Sequence, residues 1–172
     1  VVDAANLIGS DQIQGRCTLA GNLCNASPAA DSVPAMIAAG AKAVIVGAKK
    51  RRTVPVEKVA IGPGQTCLGS DELIESIALP KPGPRTGDAY LRFIPRTEMD
   101  IAVVGVAVCV TLERGRVKSA RVALGAVAPT AVLVPAAARA IVGTSLDDEA
   151  LEKLSRACSA ACNPIDDKRG TV

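Results

Sequence analysis

Between Leu79 and Asp88 the chain reads PKPGPRTG, three prolines and two glycines in eight residues. Proline lacks the N–H that a ladder or helix interior uses, and glycine loses the most conformational freedom on ordering, so Pro80–Gly87 is expected to be an exposed loop. The patterns on its two sides differ. Before it, short helical and strand-like stretches alternate; after it come long apolar strands and then two helices. This order predicts an α+β chain in two parts, 1–84 and 85–172.

In the first part, DSVPAMIAAGAKAVIVG predicts a helix from Val33 to Ala39 ended by Gly40, then a strand from Ala43 to Val46. Asp31 or Ser32 suits its N-cap, with Pro34 in the first turn. Lys49–Arg52 reads as a solvated hairpin turn leading to a strand over Thr53–Val56. Ser70–Glu72 reads as a turn, and Leu73–Leu79 as a strand with apolar positions 73, 77 and 79. Residues 1–9 are too short a pattern to assign. In the second part AYLRF is strand-like, IPRTEMD is a short connection, and Ile101–Glu113 is a long buried strand. RGR turns the chain into a return strand over Val117–Val127. Pro135 opens a helix through Val142, stopped by Gly143. Leu146–Ala161 forms another, apolar at 146, 150, 151, 154, 157 and 161, with acids in its first turn.

Hydrophobic residues make up 49% of the chain, yet Tyr90 and Phe93 are its only aromatics, so the core must be aliphatic. The net charge of +3, from 20 basic and 17 acidic residues, is too mild to suggest a nucleic-acid partner. No aromatics interleave Lys49–Arg52 to support base stacking. Val122–Ala138 approaches spanning length, but Gly125, Pro129 and Pro135 interrupt it, and no transmembrane segment is expected. No basic-then-apolar leader opens the chain, which makes the cytoplasm the expected compartment.

The cysteines stand at 17, 24, 67, 109, 158 and 162, without a C-x-x-C pair, and there is no histidine. Neither a zinc nor an iron–sulfur site is expected on this chain, and the thiols read as small hydrophobes. Without histidine the commonest general base and the Ser-His and Cys-His pairings are gone. IGPGQTCLGSDELIESIALP cannot be drawn as a strand–glycine-loop–helix dinucleotide site. No catalytic residue and no metal ligand is assigned; a cofactor would have to carry any chemistry.

TLAGNLCNASPAAD, Thr18–Asp31, keeps nearly every side chain small. Gly21 allows close approach of a ligand, and Thr18, Asn22, Asn25 and Ser27 offer neutral donors beside it. Amides of a glycine-containing turn can form a nest for phosphate oxygens. The residues also allow a small-rich turn that binds nothing, a common use of such stretches.

TLAGNLCNASPAADSVPAMIAAGAKAVIV resembles the second half of the FAD-binding domain in the medium subunit of the molybdenum hydroxylases, the xanthine dehydrogenase and carbon monoxide dehydrogenase family. GPGQTCLGSDELIESIALP, AYLRFIPRTEMDIAVVGVAV and ALGAVAPT agree in the same order, and the resemblance covers nearly the whole chain. It implies the second subdomain of a PCMH-type FAD-binding domain, followed by a small antiparallel sheet plus helices like the CO dehydrogenase flavoprotein C-terminal domain. By the same resemblance Thr18, Leu19, Ala20, Gly21 and Asn22 form a flavin loop that holds the FAD pyrophosphate and neighbouring sugar or ribityl groups. Asp31 matches an acid on the flavin side of the cofactor, Ile74 an aliphatic residue against the flavin, and Arg92 a basic residue near it. Read without the resemblance, Ile74 is an ordinary core residue and Arg92 an ordinary surface charge. Ala20 departs from the family's glycine, adding a methyl where the backbone is expected to need none.

The resemblance implies an FAD-dependent oxidoreductase subunit that takes electrons from iron–sulfur clusters and passes them to an external acceptor. The molybdenum cofactor and [2Fe-2S] clusters are expected on a molybdenum-binding large subunit and an iron–sulfur small subunit. The family's earlier glycine-rich loop lies in an N-terminal subdomain without a match here, so the isolated chain is expected to be inactive. Its open face is expected to be apolar and to favour a homodimer. The alternative is a noncatalytic interaction module, or degenerate relative, that holds no FAD.

Overall fold

The computed structural model describes residues 1–96, 99–168, 170 and 171. Two short helices, α1 (Val2–Ala5) and α2 (Asp11–Gln14), open the chain, followed by α3 (Leu19–Cys24) and α4 (Ser32–Ala38). β1 (Lys42–Val46), β2 (Arg51–Pro55) and β5 (Leu73–Ala78) make an antiparallel sheet in the order β2-β1-β5. A 3-10 turn at Val56–Lys58 and the small hairpin of β3 (Ala60–Gly62) and β4 (Gln65–Thr66) intervene. A second sheet runs β6-β7-β8-β9, with β6 (Thr86–Phe93), β7 (Val104–Glu113), β8 (Arg116–Gly125) and β9 (Val132–Leu133), all antiparallel. Helices α5 (Pro135–Ile141) and α6 (Asp148–Ala160) close the chain.

The central helix and the β1–β2 hairpin fall within a residue or two of their expected bounds. Four expectations need correction. β5 turns Ile77 inward but not Leu73, nor does Leu79 after it: its ladder with β1 is irregular between Val44 and Ile45, which sets Ile74 opposite Ile45 and Ile77 opposite Ala43. A bulge breaks the period of two, so Ile74 and Ile77 pack on the core while Leu73 and Leu79 stay exposed. The Pro/Gly loop is shorter than expected, because β6 begins at Thr86, whose hydroxyl meets that of Thr111 at 2.8 Å. Leu146 precedes α6 at a positive φ of 62°, and Leu151 is exposed. The 101–113 strand begins only at Val104. Of the expected connection 94–100, residues 97 and 98 lie outside the described residues.

The second sheet is covered on both sides. Ala107, Ala123 and Tyr90 face α4, in one cluster with Met36, Ile37, Ala43 and Ile45. Val122 and Leu124, with the half-buried Val106 and Val108, face α5 and α6. Ala107 and Ala123 are small, and this lets the helix settle closely. A Cβ on Gly125 would stand 2.6 Å from Pro34 Cγ. The Arg114-Gly115 turn between β7 and β8 takes positive φ at both residues, 51° and 77°, as a two-residue hairpin with right-handed strand twist requires.

Candidate functional site

The site grows from the two helices that precede β1. Thr18 is extended (φ −133°, ψ 156°), and its Oγ1 accepts the Gly21 N–H at 2.9 Å, capping α3. Thr18–Asn22 is thus the start of a capped helix, not a glycine nest, and one of the amides expected for a ligand is already used by Thr18. Gly21 is exposed, and a Cβ there would stand 3.0 Å from Thr18 Oγ1, crowding the cap. Ala20 lies inside α3 without positive φ, so the backbone has no need of glycine at that position.

α4 begins one turn of chain later. Asp31 occupies its N-cap position in helical backbone, but its side chain makes no capping bond. It turns instead to β6: Tyr90 Oη donates to Asp31 Oδ1 at 2.9 Å, and Arg92 Nη1 donates to Asp31 Oδ2 at 2.7 Å. Tyr90 and Arg92 are two apart on the strand and so share a face. The Arg92 and Asp31 side chains are 9% and 10% exposed, which makes this a buried ion pair rather than a surface one. Burial pushes the Asp31 carboxyl above its ordinary range, with the Tyr90 hydroxyl and the Arg92 guanidinium pulling the other way. Burial, and then the Asp31 charge, push the Tyr90 hydroxyl up as well.

Ser32, fully buried beside Asp31, donates its hydroxyl to Asn22 Oδ1 at 2.6 Å. A continuous path therefore runs from Asn22 through Ser32 and Asp31 to Arg92 and Tyr90. Arg92 also borders a cavity of about 460 Å³ whose polar wall includes Asn6, Ser10, Asp11 and Gln14. Ile74 is half-buried on β5 and packs in the same cluster as Leu19, where α3 meets that strand. Asn25 and Ser27 stand apart from this path: Asn25 is the exposed C-cap of α3, and Ser27 Oγ accepts the Ala29 N–H.

Ser32 and Tyr90 were not among the residues expected at the site. Tyr90 had a signal, being the single tyrosine, two positions before Arg92 on a strand. Ser32 had only its place beside Asp31. Among the described residues no three His, Cys, Asp or Glu side chains gather as a metal site, and no helix is long and apolar enough to cross a membrane.

Comparison with known proteins bears on the whole chain. Residues 1–82 match the family model of the FAD binding domain in molybdopterin dehydrogenase, and residues 89–172 that of the CO dehydrogenase flavoprotein C-terminal domain. The chain is 32% identical over 170 residues to the carbon monoxide dehydrogenase medium chain of Hydrogenophaga pseudoflava, covering 99% of this chain and 59% of that one. It is 31% identical over 153 residues to the xanthine dehydrogenase FAD-binding subunit of Escherichia coli O157:H7, covering 88% and 52%. The solved carbon monoxide dehydrogenase from Hydrogenophaga pseudoflava lacking the Mo-pyranopterin moiety superposes with a TM-score of 0.93 at 35% identity, covering 98% of this chain and 58% of that one. The chain thus spans somewhat over half the length of these relatives.

Proposed function

The chain belongs to the family of FAD-binding medium subunits of the molybdenum hydroxylases, and on that premise we propose that it is part of an electron-transfer flavoprotein subunit. In this reading the domain boundary falls at 84/85. FAD would supply a group stable in one- and two-electron states, joining iron–sulfur clusters on a small subunit to an external acceptor, while substrate is oxidised at molybdenum on a large subunit. The six free thiols suit a reducing, cytoplasmic setting.

The donor set carries the reading. A ligand with phosphate and hydroxyl oxygens needs neutral donors on an accessible, small-residue surface. The start of α3 offers the Leu19 and Ala20 amides, the Asn22 carboxamide and an exposed Gly21 without a Cβ. We assign Thr18 to shaping the turn, and Leu19, Ala20, Gly21 and Asn22 to facing the cofactor. Ile74 offers an aliphatic surface beside them. Arg92 supplies a positive charge on the neighbouring cavity wall, and Asp31, with both oxygens engaged, holds Arg92 and acts on a ligand through it.

Leu91 and Phe93, 75% and 64% exposed on the edge strand β6, favour a second reading as a docking module without cofactor. Co-expression with the large and small subunits separates the two. Flavin absorbance co-purifying with the complex is expected, and its loss in a Gly21→Val variant that still assembles. A colourless wild-type complex would leave only docking.

A further inference from the structure

We propose that Ser32 is a positioning residue that fixes the Asn22 carboxamide as a hydrogen-bond donor towards the cofactor's oxygens, an inference that rests on the flavin reading above. The two ends of a carboxamide are nearly alike in shape and opposite in chemistry: the oxygen only accepts and the nitrogen only donates. Which end faces a ligand decides whether the residue attracts or repels phosphate.

The geometry settles which end is used inward. Ser32 is fully buried, and its Oγ lies 2.6 Å from Asn22 Oδ1. That is the length of an O–H···O bond and is short for N–H···O. A flipped amide would set two N–H groups against a hydroxyl whose own proton then needs another acceptor. Oδ1 is therefore committed to the interior, and Nδ2 is left on the outer side of a half-buried residue. It is not among the buried polar atoms that lack a partner.

Ser32 can do this because it is itself held. Asp31, its neighbour, is bonded to Tyr90 and Arg92 from β6, so the start of α4 is tied to the second sheet. On the other side, Thr18 caps α3 and sets the helix phase that carries Asn22 towards Ser32. The second sheet thus reaches the flavin loop through two side chains, neither of which needs to touch the cofactor.

The subunit, isotopically labelled and assembled with its large and small partners, is freed of flavin and titrated with FAD and separately with riboflavin, which has the flavin but no phosphate. In the flavin-free subunit the Ser32 hydroxyl proton is expected to exchange slowly and to lie close to Asn22. FAD is expected to shift the Asn22 side-chain N–H resonances. Asn22→Asp keeps an acceptor for Ser32 but turns a negative oxygen outward. It is expected to retain the slow hydroxyl proton while lowering the FAD-to-riboflavin affinity ratio about 10- to 100-fold. Ser32→Ala, which frees the amide to turn, is expected to lower that ratio by roughly 3- to 10-fold. A purely structural Ser32 would change stability and leave the ratio alone. An unchanged ratio in both variants, or a rapidly exchanging Ser32 proton, overturns the proposal; if Ser32→Ala does not fold, Asn22→Asp decides. If FAD shifts no resonance of the wild-type chain, the flavin reading and the donor role both fall, while a slow hydroxyl proton would still uphold the orientation.

Discussion

Arg121 on β8 donates from Nε and from Nη2 to the single carbonyl of Ile37, at 3.0 and 2.8 Å, across 84 residues of sequence. Ile37 sits in the last turn of α4, and its carbonyl also accepts the Gly40 N–H at 3.0 Å, so Arg121 adds to an existing C-terminal cap. The same guanidinium reaches Glu57 Oε1 at 3.2 Å, while Glu57 Oε2 is buried with no hydrogen-bond partner among the described residues. α4 is therefore fastened to the second sheet at both ends, by Arg92 and Tyr90 at its start and by Arg121 at its finish.

Removing the far fastening should loosen α4 and leave Glu57 without its cation. Arg121→Met is expected to cost about 1–3 kcal/mol in denaturant unfolding, since charged hydrogen bonds are lost from a partly exposed site. Adding Glu57→Gln should recover part of this loss, because the stranded charge is then gone. Equal stability of the single and double variants would show that Glu57 is well solvated.

At the near end, Asp31→Ala leaves the Arg92 charge buried and the Tyr90 hydroxyl without its acceptor. The expected cost is about 3–5 kcal/mol, together with weaker FAD retention in the assembled subunit. Asp31→Leu combined with Arg92→Met removes both charges and should unfold later than Asp31→Ala alone. Denaturant midpoints of the three proteins check whether the stranded Arg92 charge carries the cost; a double variant no more stable than Asp31→Ala would show that it does not.

These fastenings also show what could be read from the sequence. The β7–β8 hairpin and the helix before β1 were legible because apolar periodicity and Gly or Pro stops are local signals. β5 was misread because a bulge is invisible to a period-two count, so Leu73 and Leu79 were expected inward and both stay exposed. α3 was hidden by Gly21 and Asn22, which are poor helix formers, and is held by the Thr18 cap and by packing on β5. Asp31 was placed beside a cofactor by resemblance. Its partners Tyr90 and Arg92 lie 59 and 61 residues further on, and no local pattern announces such a pair.

Glu72 gives the first sheet an acid-sensitive clasp. Arg52 grips both of its oxygens, at 2.9 and 2.7 Å, and the Gly69 N–H adds a bond at 2.9 Å. These partners, Arg52 foremost, lower its carboxyl from an ordinary value near 4.5 to about 2. Between those values the unfolded chain binds more protons at this residue than the folded one. The stabilisation is thus complete above pH 4.5 and lost as pH falls towards 2. Glu72→Gln should flatten the fall of the urea midpoint across that window and match the wild type's slope above it. An equally steep fall in both proteins would assign the acid sensitivity to other carboxylates.

Tyr90 allows the buried end of the site to be watched directly, because the chain has one tyrosine and no tryptophan. Burial and the Asp31 charge hold its hydroxyl above the ordinary value of 10, so the folded state keeps a proton that the unfolded chain releases. Its contribution to stability is present below pH 10 and is lost as pH rises through the folded value. Phenolate absorbance should therefore appear together with unfolding, not before it. Gly105, opposite Arg92 in the β6–β7 ladder, has room for nothing larger: an added Cβ would stand 2.8 Å from Tyr90 Oη. Gly105→Ala is expected to push the hydroxyl off Asp31, costing about 1–3 kcal/mol. In the variant, phenolate should form at lower pH while the backbone circular dichroism is still native. Coincident ionisation and unfolding in both proteins, at the same pH, would show that the Tyr90–Asp31 bond survives the added methyl.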